Sequence, residues 1–201
     1  GWKKYNLIKA TIIFCEAIIK WAHLYAEKAR ELAAVETNPR RKKELEQIAE
    51  MCDWVPANPP RNFWEALQSC RFVHLAIRKE NPHRPENSIG RLDVMLYPYY
   101  KADVEAGKLT REEAAELLAC FLLKTREVEI LQIQPPATRI APGSNLPNIT
   151  ICGMDSKGND STNEVSWLIL EAMRQLHLSE PAIYVRYNEH IDDEFIIYAL
   201  E

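Results

Sequence analysis

The sequence predicts an α/β fold that is predominantly helical, with one βαβ unit near its carboxyl end. Three observations carry that prediction. Apolar residues recur at three- and four-residue steps through most of the first 131 positions, the period of a helix face. Cap-forming residues stand in front of several of these runs. Two short β-branched runs, 148–152 and 182–187, flank one further helical pattern. The bulk properties fit a globular chain: 47% hydrophobic against 27% charged residues excludes intrinsic disorder. A formal net charge of −4 removes any general pull toward nucleic acid or an anionic membrane. No apolar run reaches the ~18 residues of a membrane span.

Residues 4–36 read as one long helix, with Ile8, Ile12, Cys15, Ile19, Ala22, Ala26, Ala29 and Ala33 on a broad face. The face is not a strict heptad seam, so the helix is expected to wrap a large core rather than form a coiled coil. Asn38 caps and Pro39 opens a second helix, about 39–54, packed antiparallel to the first. Val55-Pro56-Ala57-Asn58-Pro59-Pro60 is a stiff spacer. Asn62 with Glu65 opens a third helix, apolar on more than one face and therefore deeply buried. Residues 81–90 read as a loop, 93–106 as a helix, and Thr110 with Glu113 as a capping box for a helix to about Leu131. Prolines 135, 136, 142 and 147 mark a long irregular loop. Strand 148–152 follows. Ser161 with Glu164 predicts a capping box for a helix over 162–176, and strand 182–187 should pair parallel to the first. Residues 192–201 start another helical pattern. One βαβ unit cannot close a sheet. The remaining strands are expected beyond Glu201, leaving apolar surface exposed along 149–151 and 183–185. Gly1 and the helical pattern at Glu201 point the same way, to a chain cut at both ends.

The chemistry-bearing residues are sparse. There is no glycine-rich phosphate loop and no zinc-type His or Cys spacing. Five cysteines, odd in number and well separated, read as small buried hydrophobes in a reducing compartment. The sequons at Asn148 and Asn159 are then chance matches. His23 and His74 read as packing or surface residues, and Arg40-Arg41-Lys42-Lys43 as a solvated turn. Three segments are left over by packing. In Asn87-Ser88-Ile89-Gly90-Arg91-Leu92-Asp93 a hydroxyl, a guanidinium and a carboxylate surround a glycine turn that opens a helix, a place where backbone N–H groups can bind an anion. From these residues alone the favoured reading is a capped helix start with a local Arg91–Asp93 pair. Tyr97-Pro98-Tyr99-Tyr100 is the second segment. The third, the loop 134–147, enters its strand at the amino end, away from where α/β sites normally form.

Taken in order, these strings resemble a known family. Val55-Pro56-Ala57-Asn58-Pro59-Pro60-Arg61 through Phe63-Trp64-Glu65-Ala66-Leu67-Gln68, then Gly90-Arg91-Leu92-Asp93 with Tyr97-Pro98-Tyr99-Tyr100, then Asn148-Ile149-Thr150-Ile151-Cys152-Gly153 with 160–164, resemble the amino-terminal part of glycyl radical enzymes related to pyruvate formate-lyase. The match is nearer the dehydratase and decarboxylase branches. The resemblance implies that residues 1–131 are the helical region, and 132–201 the loop and first βαβ unit, of a ten-stranded α/β barrel. It implies a glycyl radical installed by a separate S-adenosylmethionine/iron-sulfur activase, passed to a cysteine that attacks a small-molecule substrate. It also implies a cytoplasmic, homo-oligomeric, anaerobic lyase. No cysteine here is followed by Val-Glu and no glycine lies in Arg-Val-x-Gly-Tyr, so the radical glycine, the catalytic cysteine and any catalytic residue are expected outside this chain. The residue that carries over is Ser88, as a substrate-binding hydroxyl, although the usual following proline is Ile89. Arg91 and Asp93 match the motif as structural support of the site. Arylacetate decarboxylation is the preferred reaction, with diol dehydration or choline-type lysis as the alternative. A non-catalytic helical interaction module and a small-molecule binding module using the Ser88 turn are the competing readings. No metal, nucleic-acid or membrane partner is expected.

Overall fold

The computed structural model describes residues 1–80, 88–127 and 147–201. The chain runs α1 (Trp2–Val35), α2 (Pro39–Trp54), α3 (Phe63–Glu80), β1 (Ser88–Arg91), α4 (Leu92–Glu105), α5 (Arg111–Arg126), β2 (Asn148–Cys152), α6 (Glu164–Leu176), β3 (Ala182–Arg186) and α7 (Asp193–Leu200). It is mostly helical with one small parallel sheet, as the sequence predicts.

α1 and α2 form the expected hairpin. The α1 residues Ile18, Ala22, Ala26, Ala29 and Ala33 are buried in one line, and the small size of the four alanines lets the helices approach closely. At the turn, the Asn38 side-chain oxygen accepts from the backbone N–H groups of Arg40 and Arg41, capping two donors that the helix start leaves unpaired. Arg30 pairs with Asp53 across the hairpin. Phe72 and Ala76 of α3 complete a small core with Ile18, Ala22, Ala26 and Cys52. The first half of α1 is different. Trp2, Tyr5, Leu7, Ile8, Ile12 and Ile13 are all exposed, so among the described residues only the second half of this helix wraps a core.

The main core gathers α3 to α7 around the sheet. Phe63, Leu92, Leu118, Leu122, Ile149, Ile151, Leu168, Ile169 and Phe195 are fully buried there. At the start of α5 the Thr110 hydroxyl and the Glu113 carboxylate satisfy each other's backbone N–H groups, the predicted capping box.

Several expectations need correction. The sheet has three strands in the order β1-β2-β3, all parallel, because 88–91 is a strand and not the end of a loop. Its partner β2 supplies the hydrogen bonds that a four-residue segment cannot signal by alternation. β2 is consequently central, and Ile149 and Ile151 are fully buried rather than exposed. At the other edge, β3 shows Tyr184 to solvent at 55% exposure, as expected for that strand. The α6 cap is Asn163 with Ser166, not Ser161 with Glu164. The Asn163 side chain accepts from Val165 N–H, and the Ser166 hydroxyl accepts from Asn163 N–H. Of the cysteines, Cys52 and Cys152 are buried, but Cys15 and Cys120 are exposed.

Candidate functional site

The β1–α4 junction concentrates the polar residues singled out in the sequence. Gly90 has φ +84°, a left-handed backbone that side chains rarely adopt, and this bends the chain from strand into helix. The Gly90 N–H donates to the Ser88 hydroxyl at 3.2 Å, and Ser88 itself is exposed. Arg91 reaches away from Asp93: its Nη1 donates to the Met154 carbonyl at 3.0 Å. Its Nε and Nη2 are buried without a hydrogen-bond partner among the described residues.

Asp93 is fully buried and acts as a clasp. One carboxylate oxygen accepts from the Cys152 N–H at 2.7 Å and from the Ser166 hydroxyl at 2.6 Å. The other accepts from Val94 N–H at 2.8 Å. One side chain thus joins the start of α4 to the end of β2 and to the first turn of α6. Burial pushes its carboxyl above the ordinary range, while these hydrogen bonds and the charge of Arg91 pull it down. Arg91 and Asp93 therefore spend their hydrogen bonds on different partners. Beside the clasp, burial raises the Cys152 thiol to about 11, so it is protonated and a poor nucleophile at neutral pH.

Below Ser88 lies a cavity of about 260 Å³. Val73, Ile77, Ile89 and Met95 give it apolar walls, and Ser69, Cys70, His74 and Ser88 line it with polar groups. His74 is only 5% exposed, and neither ring nitrogen has a hydrogen-bond partner among the described residues. Arg71 and Arg78 flank it at helical spacing, each near an acid, Glu127 and Glu180 respectively. Burial first, and then the two guanidinium charges, push His74 down to about 4, so its imidazole is neutral at pH 7. A histidine depressed on folding stabilises the protein above its unfolded pKa and loses that contribution as pH falls through the folded value. Stability should therefore drop between about pH 6.5 and 4. His74→Gln should flatten that part of the acid limb in a pH series of denaturant unfolding curves. A superimposable limb would show that His74 does not titrate there.

A second, more open cavity of about 670 Å³ is bounded by Tyr97, Pro98, Trp167 and the segment 160–164. Tyr97 and Pro98 from the aromatic string thus face it, whereas Tyr100 is buried edge-on against Phe63. The loop singled out at 134–147 lies, apart from Pro147, outside the described residues. No group of three or more His, Cys, Asp or Glu among the described residues is placed to hold a metal ion. None of the described helices is long and apolar enough to cross a membrane.

The pyruvate formate lyase-like family model matches residues 1–201. The chain belongs to that family. Isethionate sulfite-lyase of Oleidesulfovibrio alaskensis is 37% identical over 195 residues, covering 96% of this chain and 24% of the relative. Trans-4-hydroxy-L-proline dehydratase of Clostridioides difficile is 36% identical over 199 residues, covering 96% and 25%. Among solved structures, a glycyl radical enzyme from Archaeoglobus fulgidus superposes with a TM-score of 0.85 at 37% identity, over 91% of this chain and 23% of its own. The chain thus spans about a quarter of the length of the family members it matches.

The sequence singled out Ser88, Arg91 and Asp93 and pointed to His74 only as a packing or surface residue. Its position in a broadly apolar helix hides it, and only the cavity beside Ser88 distinguishes it from a packing residue. Cys70 sits in the same cavity, and burial raises its thiol.

Proposed function

We propose that this chain is the amino-terminal part of a glycyl radical lyase that cleaves a C–S or C–O bond of a small hydroxylated aliphatic molecule. Residues 1–131 supply the helical region together with β1, and 132–201 add β2, α6 and β3 to the same sheet, a first portion of the catalytic barrel. The observation that carries the reading is the family match over all 201 residues, joined to relatives named as a sulfite-lyase and a hydroxyproline dehydratase. The cavity agrees with a substrate of that size. Arylacetate decarboxylation, preferred from the sequence, stands as the second reading, because a relative named as a 4-hydroxyphenylacetate decarboxylase glycyl radical subunit also matches along the whole chain.

The radical group does not fit within these residues. Cys52 and Cys152 are buried with thiols raised to about 11, and neither they nor any other cysteine precedes Val-Glu. Gly90 and Gly153 turn the backbone at φ +84° and +89° beside β1 and β2, and neither has the Arg-Val-x-Gly-Tyr neighbours. We place the radical glycine, the thiyl cysteine and the residues docking the activase in the remainder of the protein. What this chain contributes is a wall: Ser88 to hold substrate, and the Asp93 clasp to hold Ser88's strand against β2.

The test is to activate the protein that carries this chain with a S-adenosylmethionine-dependent activase under anaerobic conditions. A glycyl doublet in the electron paramagnetic resonance spectrum is expected, with turnover of isethionate, hydroxyproline or a small diol. No radical after activation would overturn the proposal. Ser88→Ala should keep the radical yield and lower kcat/KM about tenfold, the worth of one substrate hydrogen bond of ~1.4 kcal/mol. Unchanged kinetics would remove Ser88 from the site.

A further inference from the structure

We infer that His74 is a binding residue of the Ser88 cavity, where its neutral imidazole holds a hydroxyl group of a small aliphatic ligand. The inference rests on the proposed role of Ser88 in lining the substrate chamber, and it adds a second, independent polar contact.

Leaving a buried polar group unpaired costs about 1–3 kcal/mol, so buried ring nitrogens normally find partners. His74 is 5% exposed, and among the described residues both its nitrogens lack one. The ring nevertheless borders a cavity of about 260 Å³, large enough for a small organic molecule. Among the described residues the charged groups that act on His74 are both cations, which disfavours a charged imidazole there. Its nearest charged neighbours on α3, Arg71 and Arg78, are cations, and the acids near them, Glu127 and Glu180, act on those arginines. A neutral imidazole has one donor nitrogen and one acceptor nitrogen. The group that complements both is a hydroxyl, which donates and accepts in turn.

The rest of the lining selects further. Val73, Ile77, Ile89 and Met95 offer aliphatic surface, and Cys70 a weakly polar thiol. Ser69 and Ser88 add two hydroxyls. The set suits a short carbon chain carrying one or two hydroxyls. It suits a free carboxylate poorly as the group seated on His74, because the imidazole brings no charge to offset the desolvation of an anion.

Calorimetric titration of the protein carrying this chain, using 1,2-propanediol and glycerol as probes and propionate as the anionic control, tests the inference. At least one of the two diol-type probes should bind saturably, and propionate at least tenfold more weakly. His74→Phe should weaken the diol at least tenfold. His74→Gln, which restores a donor and an acceptor, should recover most of the loss, and it keeps the test valid if the Phe variant does not fold. Diol affinity unchanged in both variants, propionate binding as tightly as the diol, or no binding by either diol-type probe would each overturn the inference. The radical signal of the same preparations is read separately. Radical without His74-dependent binding defeats only the role of His74. His74-dependent binding without a radical defeats only the proposed lyase function.

Discussion

Phe63→Ala should destabilise the helical region by about 3–5 kcal/mol. Phe63 is fully buried at the first residue of α3. Its ring meets Tyr100 of α4 edge-on, with centroids 5.8 Å apart. Its N–H donates to the buried carboxylate of Asp103 at 2.7 Å. The substitution keeps that hydrogen bond and removes the ring, so the loss reports packing alone: transfer of the lost atoms plus the cavity left behind. Denaturant unfolding checks the total, and hydrogen exchange locates it. Amides of α3 and α4 should exchange at least a hundredfold faster, since each 1.4 kcal/mol is about tenfold. A loss under about 1 kcal/mol would mean that this corner repacks freely around the missing ring.

Asp93→Ala should cost about 2–5 kcal/mol and act at a distance along the chain. The substitution strands the Cys152 N–H, 59 residues away, and frees the Ser166 hydroxyl, 73 residues away. An amide buried without a partner costs about 1–3 kcal/mol, and the emptied carboxylate volume adds to it. Asp93→Asn is the informative companion. An Asn oxygen can still receive Cys152 N–H and Ser166 Oγ–H, but its NH2 must then face Val94 N–H, so about 1 kcal/mol should be lost. Hydrogen exchange over β2 and the first turn of α6 should rise strongly for Ala and weakly for Asn. Equal rates in the two variants would show that the carboxylate's hydrogen bonds are not what couples these elements.

The helices were largely legible because their physics is local. Asn38 with Pro39 and Thr110 with Glu113 announce helix starts within four residues, and the alanine line of α1 repeats at the helical period. The places where reading failed depend on partners far along the chain. Ser88-Ile89-Gly90-Arg91 has no alternation and contains a glycine, and it becomes a strand only because Ile149 and Thr150 pair with it. Ser161 and Glu164 satisfy the capping pattern as well as Asn163 and Ser166 do. The choice between them falls to Asn163, whose neighbour Ser166 is also held by Asp93 from α4. For the site, Ser88 was visible as part of a motif, whereas His74 became visible only when the fold laid α3 beneath β1. Arg91 and Asp93 looked like a pair because they are close in sequence, but in three dimensions each has a better partner.

The parallel sheet also dictates an order of assembly. β1 and β2 are separated by 56 residues between Arg91 and Asn148, and β2 and β3 by 29 between Cys152 and Ala182. Contacts at such separation carry a loop-closure cost that the α1–α2 hairpin, joined by a short turn, does not face. During synthesis the hairpin can close once Trp54 has left the ribosome, whereas the third strand cannot be added before Arg186 has emerged. In that interval β2 has one unpaired edge and the isoleucines at 149 and 151 are incompletely covered. Nascent chains halted between β2 and β3 are where chaperone demand on this protein should be greatest.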